Sequence, residues 1–340
     1  MEKRALLLDH FLFDTDWRNA ERTALAGDAS LRRYERLFDA ATGRRAIVMD
    51  APPEKGEDVR PFLKVAAYLR NNGLASPEIY DADDEAGFLV LEDFGHDLFD
   101  VVCEAAPEKE HELYAAAVDA LAVLAQAPAL DGAQDYHPQM LDLALACFKW
   151  YAEPATGQDL SAAYNDCAAT LSPLIDTLGA GKVTILRDFH AQNLLWLPKR
   201  AAPQNVGLLD FQDAMLGHPA YDLISMTTDA RRDVSPDIQQ MCVDRFVDKL
   251  SLDPVQFARD AAICSVQRNL RILMIFGRMS LYFKKPHYVD LIPRVWGHLM
   301  TDLAHPDLAP VAKVITSSIP APTPDILRKL KDQCGTVSTL

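Results

Sequence analysis

The six cysteines of this 340-residue chain form no C-x-x-C pair and follow no regular spacing. Most of them lie in apolar, helix-like stretches, which indicates reduced core thiols rather than a disulfide framework. No uninterrupted apolar run approaches the ~18 residues that a membrane helix needs. Asp9 and His10 interrupt the leucines of the amino terminus before a signal-peptide core could form. The sequence therefore predicts a cytoplasmic protein that has no membrane partner.

Basic residues are fewer than acidic residues in this chain. There are 34 Lys and Arg residues against 49 Asp and Glu residues, and the formal net charge is −15. Sequence-independent binding of nucleic acid requires positive charge that neutralises phosphates, and this chain has a net negative charge. We therefore expect no nucleic-acid partner. The sequence contains no H-E-x-x-H or G-x-S-x-G motif and no paired Cys/His cluster, so none of these competes as a catalytic site.

The chain length and the order of its patterns predict two lobes, because 340 residues exceed the usual size of a single domain. Residues 22–50 alternate short apolar segments with turns and predict a three-stranded antiparallel meander. A helix is predicted over 59–74, and two further strands over 78–95. Ala- and Leu-rich segments after that point repeat at helical intervals.

We therefore expect an α+β fold with a small antiparallel β-rich amino-terminal lobe and a larger, mainly α carboxy-terminal lobe. The predicted nucleotide-binding lobe covers residues 1–91, a hinge covers 92–96, and the catalytic and substrate-binding lobe covers 97–340.

Three oxygen-bearing side chains, Asp188, Asn193 and Asp210, have the spacing of a phosphoryl-transfer site. The asparagine follows the first aspartate by five residues, and the second aspartate ends the apolar strand VGLLD. Phosphoryl transfer needs a carboxylate that takes a hydroxyl proton and metal ions that bridge phosphate oxygens. Mg²⁺ prefers carboxylate and amide oxygens, so one Asp and one Asn suffice when phosphates complete the shell. The three residues therefore predict a Mg²⁺–nucleotide site.

The order of these parts resembles the protein-kinase-like fold. LRDFHAQN, LLDFQDA and GHPAYDL are similar to motifs of the aminoglycoside phosphotransferases, over roughly residues 20–300. GDASLRRYERL, IVMDAPPE and TTDARRDV resemble the bacterial anomeric kinases of cell-wall recycling, which phosphorylate N-acetylmuramate and N-acetylglucosamine. The resemblance implies an ATP- and Mg²⁺-dependent phosphotransferase that acts on the anomeric hydroxyl of an N-acetylated amino sugar.

The resemblance also implies roles for single residues. Asp188 would be the catalytic base, and Asn193 and Asp210 would hold Mg²⁺. Asp222 would support the catalytic loop from its helix. His190 lies between the base and Asn193, and we interpret it as a residue that supports the loop rather than one that contacts substrate.

Nucleotide binding is predicted for the first lobe and the hinge. The loop 27–30 would cover the phosphates, and the backbone of 92–94 would hydrogen-bond the adenine. The predicted nucleotide-binding positions are Gly27, Asp28, Ala29, Ser30, Arg32, Arg33, Met49, Glu92, Asp93 and Phe94.

Two residues depart from the pattern of the superfamily. Leu186 stands where a histidine usually opens the catalytic motif, and Met49 stands where a strand-three lysine usually binds phosphate. Because a thioether cannot neutralise phosphate charge, another cation must substitute or nucleotide affinity must fall. Arg45 lies four residues from Met49, roughly 13 Å along an extended strand. Arg32 and Arg33 are better placed, but they point to opposite faces, and the sequence leaves open which one meets phosphate.

The segment 264–296 is positively charged although the whole chain is negatively charged. It contains six basic residues and one acidic residue, Asp290. Arg268, Arg271 and Arg278 fall on a helical arc of about 80°. They could present a stripe to an anionic group such as a muramate carboxylate; the alternative is a solvated helix face. A basic stripe in this region disfavours polycationic aminoglycosides as substrates.

Two rival hypotheses remain open. One keeps the chemistry and changes the acceptor to an aminoglycoside, choline or homoserine type of hydroxyl. The other is a pseudokinase that binds nucleotide without catalysis, and it is motivated by Met49 and Leu186.

Overall fold

The structure is a computed structural model that describes residues 2–25 and 31–338. The chain divides into two compact units. The first consists of Met1–Leu124 and Ala191–Ala214, and the second of Ala125–His190 and Met215–Leu340. Among the helices of the described residues, none is both long enough and apolar enough to cross a membrane.

An antiparallel five-stranded sheet in the order β1-β2-β3-β5-β4 forms the centre of the first unit. The first three strands pair in sequence order, as in a meander, whereas β3 pairs next with β5, and β4 lies outside β5. The predicted meander over 22–50 and the two further strands are both confirmed. The strands are β1 (Glu21–Ala24), β2 (Arg33–Asp39), β3 (Arg44–Asp50), β4 (Ile79–Asp83) and β5 (Phe88–Glu92).

The helix α1 (Glu2–Phe13) packs on one face of this sheet. Leu8 and Leu12 join Trp17 in a buried cluster with the inward residues of β2, β3 and β5. The sequence did not predict this helix, because its leucines are not one-sided: Leu6 is 67% exposed while Leu8 is buried.

The rest of the first unit extends beyond the predicted boundary at residue 92. The predicted helix over 59–74 is confirmed as α2, which buries apolar residues on one side. A hairpin of β7 and β8 is tied to the same unit, because Leu208 N–H donates to the Ala75 carbonyl at 2.8 Å and Trp196 N–H donates to the Asp97 carbonyl at 2.8 Å. The further elements are α2 (Arg60–Asn71), α3 (Phe99–Ala105), α4 (Glu110–Gln126), β7 (Leu194–Trp196) and β8 (Val206–Leu208).

The second unit is mainly α, as predicted. The 28-residue α10 packs against α5, α8 and α11. Gly277 allows the backbone of α10 to approach the Trp150 carbonyl, because a Cβ atom at residue 277 would lie 2.0 Å from the carbonyl oxygen. The elements are α5 (His137–Cys147), α6 (Glu153–Thr156), α7 (Ser161–Asp176), β6 (Val183–Ile185), β9 (Met215–Gly217), α8 (Ala220–Thr227), α9 (Pro236–Leu250), α10 (Pro254–Leu281), α11 (Ile292–Asp302), α12 (Ala309–Ser318) and α13 (Pro324–Asp332). Of the two strands in the small β6–β9 pair, only β6 was predicted from the sequence.

Candidate active site

The loop that carries Asp188, residues 186–190, is held in shape by Asp222. Leu186 N–H donates to Asp222 Oδ2 at 2.6 Å, and Arg187 N–H donates to Oδ1 at 2.8 Å. Arg187 has a φ of 73°, a conformation that few side chains adopt without support. Because Asp222 lies in the first turn of α8, this helix fixes the backbone immediately before Asp188.

Asp222 is a buried carboxylate whose charge is stabilised mainly by backbone groups. Burial raises its pKa to about 6, while the N–H groups of Leu186 and Arg187 lower it. The carboxylate of Asp188 raises this pKa further, and the guanidinium of Arg268 lowers it. Asp222 is therefore ionised at neutral pH and can accept both backbone hydrogen bonds.

His190 lies at the other end of the loop and is only 6% exposed. Its Nε2 is 3.2 Å from Nη1 of Arg231. Burial lowers the pKa of His190 to about 4, so the ring is neutral at pH 7 and can accept from the guanidinium. This contact favours our interpretation of His190 as a residue that supports the loop.

The segment 229–233 supports His190 in turn. Arg231 N–H donates to Oδ1 of the buried Asp229 at 2.8 Å. Arg294 of α11 pairs with Asp233 at 2.6 Å and donates to the carbonyl of Ala230 at 3.1 Å. The sequence TTDARRDV, one of the three segments that carry the subfamily resemblance, therefore forms a connection between α8 and α9 that Arg294 of α11 braces.

Asn193 and Asp210 lie at the same end of the β7–β8 hairpin in the first unit. Leu194 pairs with Leu208, and Leu209 N–H donates to the Asn193 carbonyl at 3.0 Å, so Asn193 stands opposite Leu209, the residue before Asp210. Asp210 has a φ of 54°, and Gln212 Nε2 donates to its Oδ1 at 2.7 Å. An amide and a carboxylate brought together at one hairpin end fit a hard divalent cation such as Mg²⁺.

Phe211, the residue after Asp210, anchors this end of the hairpin to α2. Its ring is buried and stacks on the ring of Phe62, with centroids 4.8 Å apart and an interplanar angle of 30°. An aromatic pair of this kind holds the two segments in register. The position of Asp210 is therefore linked to the position of α2.

The β2–β3 register separates Arg33 from Met49. Tyr34 pairs with Met49, and Arg33 pairs with Asp50. Asp50 faces α1, because its carboxylate accepts from Arg4 of that helix at 2.8 Å. Directly opposed residues point to the same side of a sheet, so Arg33 lies on the α1 face and Met49 on the other.

Arg32 belongs to the face that carries Met49, since it precedes Arg33 by one residue. Its Nε lies 2.8 Å from Oε2 of Glu57, and Leu31 N–H donates to Oε1 of the same carboxylate at 3.2 Å. Burial raises the pKa of Tyr34, the positive charge of Arg32 lowers it, and the negative charge of Asp210 raises it. The Tyr34 hydroxyl thus lies within the fields of both Arg32 and Asp210.

The side chains of the predicted hinge are engaged with other protein groups. Asp93 accepts from Arg36 Nε at 2.7 Å and from Nη2 at 3.1 Å. Glu92 pairs with Arg200, whose guanidinium lies 5.0 Å from the ring centroid of Phe94. Recognition of adenine by the backbone of 92–94 stays a prediction.

The loop predicted to cover the phosphates lies outside the described residues. Its role stays a prediction for Gly27, Asp28, Ala29 and Ser30.

The basic stripe on α10 does not form a solvated face. Arg268 is 5% exposed, and it donates to Ser225 Oγ at 2.9 Å and to the Thr228 carbonyl at 3.4 Å. Burial lowers its pKa. Arg268 therefore ties α10 to the end of α8, while Arg278 is half-buried with its guanidinium 5.8 Å from the ring centroid of Phe283.

Arg271 lies beside a tyrosine pair near the Asp188 loop. Its Nη1 donates to the Tyr221 hydroxyl at 3.1 Å, and that hydroxyl is 3.2 Å from the hydroxyl of Tyr136. The Arg187 guanidinium lies 5.3 Å from the centroid of the Tyr136 ring. Burial lowers the pKa of Arg271, but the two phenols and Asp188 raise it, and the net shift is upward. Within the described part of the chain, no carboxylate forms an ion pair with Arg271.

Several residues that organise these sites were not predicted from the sequence. Each is a common residue type whose role only tertiary pairing reveals. Asp229 and Arg231 lie within TTDARRDV, which the resemblance singled out without giving either residue a role. The strongest available signal was the acidic stretch EKGED before α2, because acids are favoured before a helix start. The missed residues are Tyr34, Arg36, Glu57, Tyr136, Tyr221, Asp229 and Arg231.

Comparison with known sequences supports the motif analysis. The profile of the family described as "Phosphotransferase enzyme family" matches residues 21–254. The chain is 34% identical to an N-acetylmuramate/N-acetylglucosamine kinase of Caulobacter vibrioides, over 92% of this chain and 96% of that protein. It is 31% identical to a protein of the same name from Pseudomonas aeruginosa, over 88% of each chain.

Comparison with solved structures concerns the fold alone, since the identities are low. A choline kinase from Streptococcus pneumoniae superposes with a TM-score of 0.59 at 13% identity, covering 88% of this chain and 100% of that one. An ADP-bound aminoglycoside phosphotransferase gives a TM-score of 0.58 at 12% identity, covering 87% and 99%. The predicted protein-kinase-like α+β fold is confirmed, and because the family profile spans more than half of the sequence, the chain belongs to the phosphotransferase enzyme family.

Proposed function

We propose that this phosphotransferase moves the γ-phosphoryl group of ATP to the anomeric hydroxyl of an N-acetylated amino sugar, N-acetylmuramate or N-acetylglucosamine. The observation that carries the proposal is the similarity, over about nine-tenths of the chain, to kinases named for these two sugars. The ADP found in a structure of the same fold supports an adenine nucleotide as the donor.

Asp188 is the proposed catalytic base. Its carboxylate takes the proton of the anomeric hydroxyl while that oxygen attacks the γ-phosphorus, the new O–P bond forms, and the bond to the β–γ bridging oxygen breaks to release ADP. The hydrogen bonds from Leu186 and Arg187 to Asp222, and the contact between His190 and Arg231, hold the loop in place. Such rigidity favours catalysis, because a misplaced base loses much of its effect.

Asn193 and Asp210 are the proposed ligands of Mg²⁺. When bound, the ion would neutralise charge on the phosphate oxygens. The stacking of Phe211 on Phe62 and the hydrogen bond from Gln212 orient Asp210 for this task.

Arg271 is the proposed contact for an anionic group of the acceptor. Its guanidinium is partly buried, donates to a phenol, and has no carboxylate partner within the described residues, although arginines removed from solvent are usually paired with carboxylates. The carboxylate of N-acetylmuramate has the matching charge. Choline and aminoglycosides are cationic and lack such a group, so they fit this environment poorly.

A ³¹P NMR spectrum of the product tests the function. Purified protein, ATP and Mg²⁺ should convert either sugar to an anomeric phosphate, which is chemically distinct from a 6-phosphate. Formation of a 6-phosphate, or transfer only to choline, homoserine or an aminoglycoside, would contradict the proposed acceptor. Absence of transfer to any of them, with ATP binding retained, would indicate the pseudokinase.

A further inference from the structure

The buried Met49 leaves open which side chain binds the triphosphate of the donor. In protein kinases, a lysine on strand three pairs with a glutamate on a helix and binds phosphate. Here the strand-three position is a thioether that is fully buried. A thioether carries no charge and donates no hydrogen bond. The phosphate-binding cation must therefore come from another position, and basic residues on the same sheet face are candidates.

Three arginines share the face of Met49, and they differ in the protein groups that they contact. Arg36 holds Asp93 through two hydrogen bonds and also donates to the Gly95 carbonyl at 3.1 Å. Arg45 lies over the ring of Phe38, and it is four residues from Met49, about 13 Å along the strand. The third arginine of this face is Arg32.

Arg32 is near the proposed metal ligand as well as near Met49. It lies two residues, about 7 Å of extended chain, from Tyr34, which pairs directly with Met49. The charges of Arg32 and Asp210 both act on the Tyr34 hydroxyl. Arg32, a cation, and Asp210, the proposed Mg²⁺ ligand, thus lie near the same tyrosine, and a Mg²⁺–triphosphate needs both residue types on its protein side.

Glu57 positions the guanidinium of Arg32. Its carboxylate accepts from Arg32 Nε at 2.8 Å and from the backbone N–H of Leu31 at 3.2 Å, and both side chains of the pair are largely buried. Glu57 lies shortly before α2, whose Phe62 stacks on Phe211 beside Asp210. Arg32 also hydrogen-bonds the Tyr34 side chain. An arginine has five N–H donors, so these two partners do not use all of them, and the guanidinium can also donate to phosphate oxygens.

We propose that Arg32 is the triphosphate-binding cation of this protein and that Glu57 is its positioning residue. The Arg32–Glu57 pair takes the place of the strand-three lysine and its helix glutamate, with the cation moved from β3 to the start of β2. This inference rests on the proposed function in one respect, which is that the donor is a nucleoside triphosphate.

Nucleotide titration calorimetry without any acceptor tests the inference. Arg32→Met should weaken binding of Mg²⁺–ATP by about 10- to 100-fold, because a charge-assisted hydrogen bond is lost. Binding of adenosine should not change, since adenosine has no phosphate. Arg45→Met, on the same sheet face but farther from Met49, is the matched control and should bind ATP like the wild type. Arg32→Lys should fall between the two.

A double variant that moves the positive charge from residue 32 to residue 49 provides a second test. The double variant Arg32→Met with Met49→Lys should recover a large part of the lost ATP affinity, because the lysine restores a cation opposite Tyr34. Glu57→Gln should weaken ATP binding by about 3- to 10-fold through the loss of positioning. Its kcat should change less than its KM for ATP.

Three outcomes would overturn the inference. Arg32→Met could bind ATP as tightly as the wild type, it could lose adenosine affinity in the same proportion, or the double variant could show no recovery. Thermal unfolding of each variant shows whether it is folded, and Arg32→Lys provides a conservative second probe. If the wild-type protein itself binds no ATP, the proposed function fails; if it binds ATP and Arg32→Met is unaffected, only this inference fails.

Discussion

The two units of the chain stabilise their charges in different ways. In the first unit, arginines near the predicted nucleotide site pair with carboxylates: Arg32 with Glu57, and Arg36 with Asp93. In the second unit, two charged side chains near the Asp188 loop are held by neutral groups. Asp222 accepts from two backbone N–H groups, and Arg271 donates to a phenol.

This difference indicates which kind of anionic ligand each unit is suited to bind. A buried ion pair fixes the orientation of its guanidinium, and N–H groups that the carboxylate does not use can donate to phosphate oxygens. A partly buried guanidinium that faces phenols keeps its charge and favours an anionic ligand. The first unit is therefore suited to a phosphate chain that brings its own metal ion, and the second to an acceptor with a carboxylate.

The largest effect is expected at Asp188. Asp188→Ala should lower kcat by about 10³-fold, because general base catalysis contributes about 10²- to 10⁴-fold. ATP affinity should stay within about threefold of the wild type, since the residue acts on the acceptor. Rapid-quench or coupled assays give kcat, and calorimetry gives the ATP affinity. A matching loss in the exposed variant Asp237→Ala would show that the effect is not specific.

The next largest effect is expected at Arg271. Arg271→Met should lower kcat/KM for N-acetylmuramate by about 10- to 100-fold relative to N-acetylglucosamine, because only the first sugar has a carboxylate to pair with the guanidinium. The ratio of the two constants, measured on one preparation, is insensitive to partial misfolding. An equal loss for both sugars would assign Arg271 to structure alone. Arg278→Met should change the ratio less.

Asp222 should have a smaller effect on turnover. Asp222→Asn keeps the size of the side chain but leaves one of the two backbone N–H groups without an acceptor, so the Asp188 loop loses a restraint. We expect kcat to fall by about tenfold, with ATP affinity unchanged. Steady-state kinetics and calorimetry measure the two quantities. A wild-type kcat would show that the loop needs no support from α8.

The smallest net effect in the wild type is expected from two opposite pH dependences of stability, which largely cancel between about pH 4 and 6. The pKa of His190 is lowered to about 4 in the folded protein, so its contribution to stability rises with pH between about 4 and 6.5. The pKa of Asp222 is raised to about 6, so its contribution falls as the pH rises from about 4 to 6. Each slope is at most about 1.4 kcal/mol per pH unit.

Two variants separate these slopes. Compared with the wild type, His190→Gln should lose the rising slope, and Asp222→Asn should lose the falling one. Urea unfolding at several values between pH 4.5 and 6 gives the free energy of unfolding for each protein. Parallel profiles for all three proteins would show that neither group is perturbed as the structure indicates.

Much of the fold was predictable from the sequence because its elements have clear periodicity. Alternation in β2 and β3 and the one-sided apolar face of α2 are local patterns, and both predictions are confirmed. The helix α1 was not predictable, because its leucines point in several directions and only its packing on the sheet decides which are buried.

The site was predictable in its chemical residue types but not in its supporting contacts. The spacing of Asp188, Asn193 and Asp210 is local information. The choice between Arg32 and Arg33 depends on strand register, and the pairing of Arg32 with Glu57 joins residues 25 positions apart. Contacts of this kind are set by tertiary packing and leave no local signature in a single sequence.

The central claim is that the anomeric oxygen of an amino sugar attacks the γ-phosphorus. It is tested most directly by phosphorylating N-acetylglucosamine that carries ¹⁸O at its anomeric position and recording the ³¹P isotope shift of the product. The account predicts that the label is retained in the bridge between C1 and phosphorus, so the product signal shifts. A phosphorylated sugar whose ³¹P signal shows no isotope shift would place the phosphoryl group on another oxygen and would contradict it.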